Sequence, residues 1–203
     1  MTTADSRVII RPVRLDDIPD VVEVAGTAWC AAYRDILPGE VFDQWSPAEV
    51  AERWREIVAD PERTTLVVET RGRVRGYVGF GRARDEDLDP ARTAEIYGIY
   101  VHPQRWGQGL GWALLQAAYR VLTCTASAAR CKCLECGYRD VSLWTMRDNA
   151  RARRFYERAG LGWDGQTKTS EQGLARFVEV RYLGKLDRAD RHPPCGNGVS
   201  TTF

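Results

Sequence analysis

Short runs of β-branched and aromatic residues alternate along the chain with segments whose apolar residues recur at helical spacing. The runs at 64–69 and 74–81 flank Arg71 and Gly72, which predicts two antiparallel strands joined by a tight turn. The opening run at 8–11 stops at a proline, which suits an edge strand because proline cannot donate a hydrogen bond to a sheet. The same pattern predicts further strands at 95–101, 141–146, 162–168 and 177–183.

Apolar positions that repeat every three to four residues, together with capping signals, predict four helices. The first begins near Asp16 and buries one face, and the second begins at Ser46, whose hydroxyl is expected to cap it. The third is predicted at 110–122 and the fourth at 149–159, where Gly160 ends the helix. Taken in order, these strands and helices predict an α+β fold.

The segment between the strand at 95–101 and the third helix is rich in glycine. Residues 104–111, called the glycine loop from here on, have the sequence Gln-Arg-Trp-Gly-Gln-Gly-Leu-Gly. Glycines leave backbone N–H groups unobstructed and the following helix adds its positive dipole, so the loop suits a pyrophosphate group. Glycines also serve ordinary turns, and the pattern alone leaves both interpretations open. Gly98 in the preceding strand predicts a β-bulge, because glycine weakens a regular strand.

Charge and length narrow the classes of function. Lys plus Arg number 29 and Asp plus Glu number 28, so no net field draws the chain to nucleic acid or to an anionic membrane. A length of 203 residues fits one ordinary domain, or one domain with a tail. The sequence shows no signal peptide and no run of about 20 apolar residues, and we therefore expect a cytoplasmic protein.

Four of the six cysteines crowd one segment between the third helix and the following strand: Cys124, Cys131, Cys133 and Cys136. Four thiolates are enough in number for a structural zinc ion. Their spacing offers only one of the paired C-x-x-C elements that such sites usually present, so free thiols are expected and no metal is assigned.

Two separated motifs resemble those of the GNAT superfamily of N-acetyltransferases. The acetyl-CoA loop of that family, Gln/Arg-x-x-Gly-x-Gly/Ala, is matched by Gln104, Gly107 and Gly109. Its later Asn-x-x-Ala-x-x-Phe-Tyr pattern with a closing glycine is matched by Asn149, Ala152, Phe155, Tyr156 and Gly160. The resemblance is to small prokaryotic members and implies one acetyltransferase domain at 1–186, followed by a polar, disordered tail at 187–203. A dinucleotide-binding fold is disfavoured, because the strands before the loop form hairpins instead of a βαβ unit.

The resemblance implies a three-layer α/β/α architecture with a mixed, mainly antiparallel sheet that is split at its bulged central strand. Acetyl-CoA, the implied co-substrate, enters at the split. Its pantetheine arm is then expected to pair with the second half of that strand, at Ile99, Tyr100 and Val101. The implied pyrophosphate site comprises Gln104, Trp106, Gly107, Gln108, Gly109, Leu110 and Gly111. Asn149 has two candidate roles, a contact to pantetheine or a simple helix cap.

Direct acetyl transfer needs a neutral amine and a proton for the departing thiolate. The resemblance gives the acid role to Tyr156, whose phenol stays protonated at neutral pH; the alternative is a tyrosine packed beside Phe155. Glu95 lies at the offset from the glycine loop where histone-type members carry a glutamate base. A water chain in place of that base, and a merely solvated glutamate, both stay open. Tyr97 is expected to help Glu95 from the same strand.

The acceptor is less defined by the sequence. Trp29 and Tyr33 lie one helical turn apart and are candidates for the wall of an acceptor pocket, although such spacing is also typical of a core. Trp144 stands where ribosomal-protein alanine acetyltransferases carry a glutamate base, which argues against that subfamily. The acidic stretch at 85–89 suits either a cationic amine or plain solvent.

The sequence therefore predicts an enzyme, an acetyl-CoA-dependent N-acetyltransferase acting on a primary amine of a small molecule or peptide by direct transfer. No nucleic-acid or membrane partner is expected. The resemblance implies a possible homodimer, because dimers are common in the family. Two alternatives stay open: a non-catalytic acyl-CoA sensor on the same fold, and a redox or metal function centred on the cysteine segment.

Overall fold

The computed structural model describes residues 8–123, 137–172 and 175–186. Seven strands form one sheet: β1 (Val8–Pro12), β2 (Arg63–Thr70), β3 (Arg73–Arg82), β4 (Thr93–Val101), β5 (Asp140–Met146), β6 (Gly162–Gln172) and β7 (Ala175–Lys185). The α-helices in these ranges are α1 (Ile18–Tyr33), α2 (Glu40–Asp43), α3 (Pro47–Ala59), α4 (Leu110–Thr123) and α5 (Ala150–Arg158). Every predicted strand and helix is present, and the short helix α2 was not predicted. The tail at 187–203 lies outside the described residues.

The sheet is mixed and mainly antiparallel, as predicted. Its strand order is β1-β2-β3-β4-β5-β7-β6, and only the neighbours β4 and β5 run parallel. The parallel pair is formed by the two strands that α4 connects, because a parallel connection needs a crossover long enough to return the chain.

Helices cover both faces of the sheet because side chains alternate along each strand. On β2, Leu66 and Val68 belong to a core cluster with Leu114 of α4. The intervening Val67 belongs to a second cluster with Val21 of α1, which lies on the opposite face. The predicted three-layer α/β/α arrangement is therefore confirmed.

A β-bulge splits the sheet at β4. Gly79 pairs with Gly98 and the next residue of β3, Phe80, pairs with Ile96, so Tyr97 is the extra residue of the bulge. The parallel pairing of β4 with β5 covers only the stretch from Thr93 to Ile96. Beyond it, β5 continues along β7 while the second half of β4 stays on β3. The two central strands diverge there and leave a fork.

None of the helices in the described ranges is long and apolar enough to cross a membrane.

Candidate active site

A cavity of about 550 Å³ occupies the fork between β4 and β5. Its wall is built from α1, the second half of β4, the glycine loop, the end of β5, α5 and β7. Thirteen of the predicted site residues line it: Trp29, Tyr33, Tyr97, Ile99, Tyr100, Val101, Trp106, Gly107, Gly109, Leu110, Gly111, Asn149 and Tyr156. Three predicted residues do not: Glu95, Gln104 and Gln108.

The glycine loop owes its shape to two residues with left-handed backbone angles. Gly107 has φ 76° and Gly109 has φ 80°, a region that side-chain-bearing residues rarely adopt. No atom lies within 4 Å of the position that a Cβ would take at either glycine. The backbone at these two glycines is therefore not covered by other atoms, and the N–H groups at the start of α4, which begins at Leu110, can hold an anion together with the helix dipole.

Neighbouring side chains hold the loop in place and make this end of the cavity basic. Trp106 donates its indole N–H to the carbonyl of Val101 at 2.6 Å, and the guanidinium carbon of Arg151 lies 3.5 Å from the centroid of its ring. Arg105 and Arg158 also line the cavity. Among the described residues, these three arginines are the only cationic side chains in its wall.

Gln104 and Gln108 brace the loop from its exposed side. The Gln108 amide donates to the Gln104 carbonyl at 3.1 Å, and both residues are exposed. Their predicted contact with a bound pyrophosphate stays a prediction.

Tyr156 is buried in the wall of the cavity, with 7 % of its surface exposed. Burial raises the pKa of its phenol well above the ordinary value near 10, and the neighbouring phenols of Tyr33 and Tyr119 raise it further. Its ring packs edge-on against Phe155, with centroids 5.3 Å apart. The hydroxyl is thus a protonated donor at neutral pH.

Asn149 connects α5 to the cavity. Its Oδ1 accepts a hydrogen bond from the backbone N–H of Ala152 at 3.0 Å, which makes it the cap of α5. Its side chain also interacts with the phenol of Tyr33, which interacts in turn with that of Tyr100. Burial raises the pKa of both tyrosines. The capping role is therefore observed, while contact to pantetheine stays a prediction.

The structure does not bring Glu95 to the surface that Tyr156 lines. Only 2 % of Glu95 is exposed, and its carboxylate accepts hydrogen bonds from the backbone N–H and the guanidinium of Arg84. Tyr97 does line the cavity, but its hydroxyl donates to the Arg82 carbonyl at 2.9 Å. Direct contact between Glu95 and an acceptor would require this ion pair to open, and the base role stays a prediction.

The cavity wall also contains residues of β5 and β7 that were not among the predicted site residues. Phe177 and Glu179 reach it from β7, and Trp144 reaches it from β5. No local pattern marks Glu179, because its place depends on the pairing of β7 with β5, where it lies opposite Met146.

The acidic stretch at 85–89 is engaged by an arginine. Arg181, only 3 % exposed, forms ion pairs with Asp85, Asp87 and, from β6, Asp164, at 3.2, 2.6 and 2.7 Å. Asp85 also accepts the indole N–H of Trp144 at 2.9 Å. None of these carboxylates lines the cavity. The carboxylates of the acidic stretch bind Arg181 in ion pairs, which is a structural role.

A second cavity, of about 760 Å³, adjoins the first on the side of α1 and α3. The two share Trp29, Tyr97, Gly98 and Tyr100 as walls. Trp29 also stacks on Trp45 with ring centroids 5.7 Å apart, so it serves both the core and the cavity.

The cysteine segment and its four cysteines, Cys124, Cys131, Cys133 and Cys136, lie outside the described residues. Within the described ranges, no group of three or more His, Cys, Asp or Glu residues is placed to hold a metal ion.

Comparison with known proteins places this geometry in context. The model of the acetyltransferase (GNAT) family matches residues 27–161. An uncharacterized N-acetyltransferase of Mycobacterium tuberculosis is 31% identical over 173 residues, which cover 83% of this chain and 99% of that protein. A mycothiol acetyltransferase of Pseudarthrobacter chlorophenolicus is 28% identical over 182 residues, which cover 81% of this chain and 48% of that protein.

Solved structures share the fold at low sequence identity. The PaiA N-acetyltransferase of Thermoplasma acidophilum, solved in complex with coenzyme A, has a TM-score of 0.63 and 18% identity, over 88% of this chain and 98% of that one. YncA of Salmonella typhimurium, solved with its cofactor acetyl-CoA, has a TM-score of 0.59 and 20% identity, over 91% and 96% of the two chains.

Proposed function

The chain belongs to the acetyltransferase (GNAT) family, and from this premise we propose that it moves an acetyl group from acetyl-CoA directly to a primary amine. One observation carries the proposal: a single cavity is lined by a glycine loop suited to an anion, by the half of β4 that has no β5 partner among the described residues, and by a buried protonated phenol. These are the parts that a thioester donor with a long polar arm requires.

Acetyl-CoA supplies the activated acetyl group, and the chain supplies its binding surface. The pyrophosphate is assigned to the N–H groups of Gly107 to Gly111, with Arg105 and Arg151 close by. The pantetheine amides are assigned to the backbone of 99–101, which has no partner on the β5 side among the described residues. An added strand at this position would satisfy those backbone groups.

Tyr156 is assigned the acid role. The nitrogen of a neutral amine forms a bond to the acetyl carbonyl carbon, and the bond from this carbon to sulfur breaks with its electron pair on sulfur. Tyr156 donates its phenolic proton to that sulfur, and the proton lost by the newly acylated nitrogen restores the phenol. Because its pKa is raised, the phenol of Tyr156 is protonated at neutral pH before the thiolate leaves.

An acceptor that arrives as an ammonium ion must first lose a proton. Glu95 is assigned this base role through a water chain, since its carboxylate lies behind Arg84 and does not reach the cavity directly. The acceptor is assigned to the end of the cavity that Trp29, Tyr33 and Tyr97 line, with the second cavity as room for the rest of the molecule. A small molecule or a peptide would fit this description. A homodimer and a cytoplasmic location stay predictions.

Release of free CoA from acetyl-CoA, followed with a thiol reagent across a panel of amines, peptides and aminoglycosides, tests the proposal. We expect release that depends on the presence of an acceptor amine. Tight binding of acetyl-CoA without turnover on the whole panel would instead support the non-catalytic acyl-CoA sensor.

A further inference from the structure

The positive and negative side chains of the cavity wall come from different elements. Arg105, Arg151 and Arg158 lie at the end formed by the glycine loop and α5. Among the described residues of the wall, Glu179 is the only carboxylate, and it lies on a different element, β7, together with Phe177. An anion is favoured beside the arginines and a cation beside Glu179.

Glu179 is already paired with a cation of the chain itself. Its carboxylate accepts the hydroxyl of Ser170 at 2.5 Å, and the ammonium of Lys168 lies 3.7 Å from it. The same ammonium lies 4.1 Å from the centroid of the Trp144 ring, a distance typical of a cation–π contact. A carboxylate and an aromatic face at the cavity wall therefore already hold one alkylammonium group.

A ligand can replace the Lys168 ammonium at Glu179 and Trp144. Its side chain is 43% exposed and stands on the edge strand β6, while that of Glu179 is only 20% exposed. A flexible lysine stem can leave its position by rotation into solvent. The ligand that replaces it needs the same chemistry, an ammonium group on an aliphatic chain.

Other carboxylates near the cavity are less available. Glu95 accepts several hydrogen bonds from Arg84, and Asp85 and Asp87 are held by the buried Arg181. A guanidinium bound at two points is exchanged less readily than a lysine ammonium at 3.7 Å. Glu179 is therefore the carboxylate whose own cation is exchanged most readily for a ligand.

Building on the proposed acetyl transfer, we propose that the acceptor is an aliphatic diamine or polyamine, one ammonium group of which binds to Glu179 and Trp144 in place of Lys168. The bound ammonium is an anchor and not the attacking group, because a carboxylate favours the protonated form and an attacking amine must be neutral. The second amine of the same molecule is the one that receives the acetyl group.

Isothermal titration calorimetry of the CoA-bound protein tests this anchor, with 1,4-diaminobutane as the probe and 1-aminobutane as its singly charged counterpart. Wild-type protein should bind the diamine at least about tenfold more tightly than the monoamine, the scale of one charge-assisted hydrogen bond. Glu179→Gln should remove this preference, and Lys168→Met should leave the diamine bound equally or more tightly, because its competitor is gone.

Glu171→Gln is the matched control, since it removes a carboxylate from the same β6–β7 hairpin, where Glu171 pairs with the exposed Arg176. It should change neither affinity. Equal binding of both amines by wild-type protein, binding of neither, or an unchanged preference in Glu179→Gln would overturn the anchor.

Acetyl transfer and the anchor fail in different ways. If no amine releases CoA, the calorimetric preference still decides whether Glu179 binds an ammonium. If CoA is released but the diamine preference survives in Glu179→Gln, the transferase stands and the anchor is wrong.

Discussion

Tyr156 combines a proton donor with a place in the wall of the cavity, and its burial makes the phenol a weaker acid than a solvated tyrosine. The raised pKa also sets the pH range in which it can act. An acid must be protonated before it donates, so loss of activity from ionisation of Tyr156 belongs above pH 10, the ordinary range of a phenol.

Tyr156→Phe removes the proton donor and keeps the ring. We expect kcat to fall by about 100-fold or more, the scale of general acid catalysis, while the affinity for acetyl-CoA changes by less than about threefold. Tyr138→Phe is the matched control, because Tyr138 is also a buried tyrosine but lines neither of the two cavities. An unchanged kcat in Tyr156→Phe would remove the acid assignment.

At the scale of elements, the glycine loop is the part whose backbone must take an unusual conformation. Gly109→Ala places a methyl group on a residue with φ 80°, which costs about 1–2 kcal/mol and favours a different conformation of the loop. The dissociation constant for acetyl-CoA should rise about tenfold or more in equilibrium binding.

Gly39→Ala provides the comparison for this change. Gly39 has φ −55° and open space around its Cβ position, so alanine fits there without strain and the affinity should not move. Equal affinities of the Gly109 variant and wild type would show that the loop does not bind the co-substrate.

Elements with local signals could be predicted from the sequence. The β2–β3 turn needs two positive φ values, at Arg71 and Gly72, and the loop before α4 needs glycines. Both requirements are met by a few adjacent residues and can therefore be recognised in the sequence. The extra residue of the β4 bulge is Tyr97, one position before the glycine that indicated it. The short helix α2 has too few residues for a periodic pattern and was missed.

The contacts among Glu179, Trp144 and Lys168 could not be predicted in this way. Glu179, Trp144 and Lys168 come from three strands, and their contacts depend on the register of β5, β7 and β6. A strand glutamate looks the same in sequence whether it faces solvent or a cavity. Likewise, the partner of the acidic stretch is Arg181, roughly 95 positions further along the chain.

At the scale of the whole molecule, the ion pairs of Arg181 join the β3–β4 connection to the β6–β7 hairpin. Arg181→Met would leave Asp85, Asp87 and Asp164 without their shared guanidinium, and we expect the free energy of unfolding to fall by about 3–5 kcal/mol. Arg176→Met, at an exposed ion pair of the same hairpin, should change it by less than about 0.5 kcal/mol. Denaturant unfolding of the two variants measures both values, and equal losses would contradict a special role of Arg181.

Buried phenols also make the stability of the whole molecule depend on alkaline pH. Burial raises the pKa of Tyr77, Tyr100 and Tyr156, so the folded state holds these protons more tightly than the unfolded state does. Their contribution to stability is complete below about pH 10, the pKa of an unfolded tyrosine, and is lost as the pH rises towards their folded values. Unfolding free energies measured across this range should fall together with the appearance of tyrosinate absorbance, and a constant value would contradict the burial of these groups.

The most direct measurement follows the acetyl group itself. The protein is mixed with acetyl-CoA labelled in the acetyl group, first alone and then with a panel of primary amines, and label and free thiol are measured together. We predict that no label is transferred to the protein, that label passes to at least one amine, and that one thiol appears for each acetyl group transferred. Acetyl-CoA that binds the protein but stays intact with every amine would contradict this prediction.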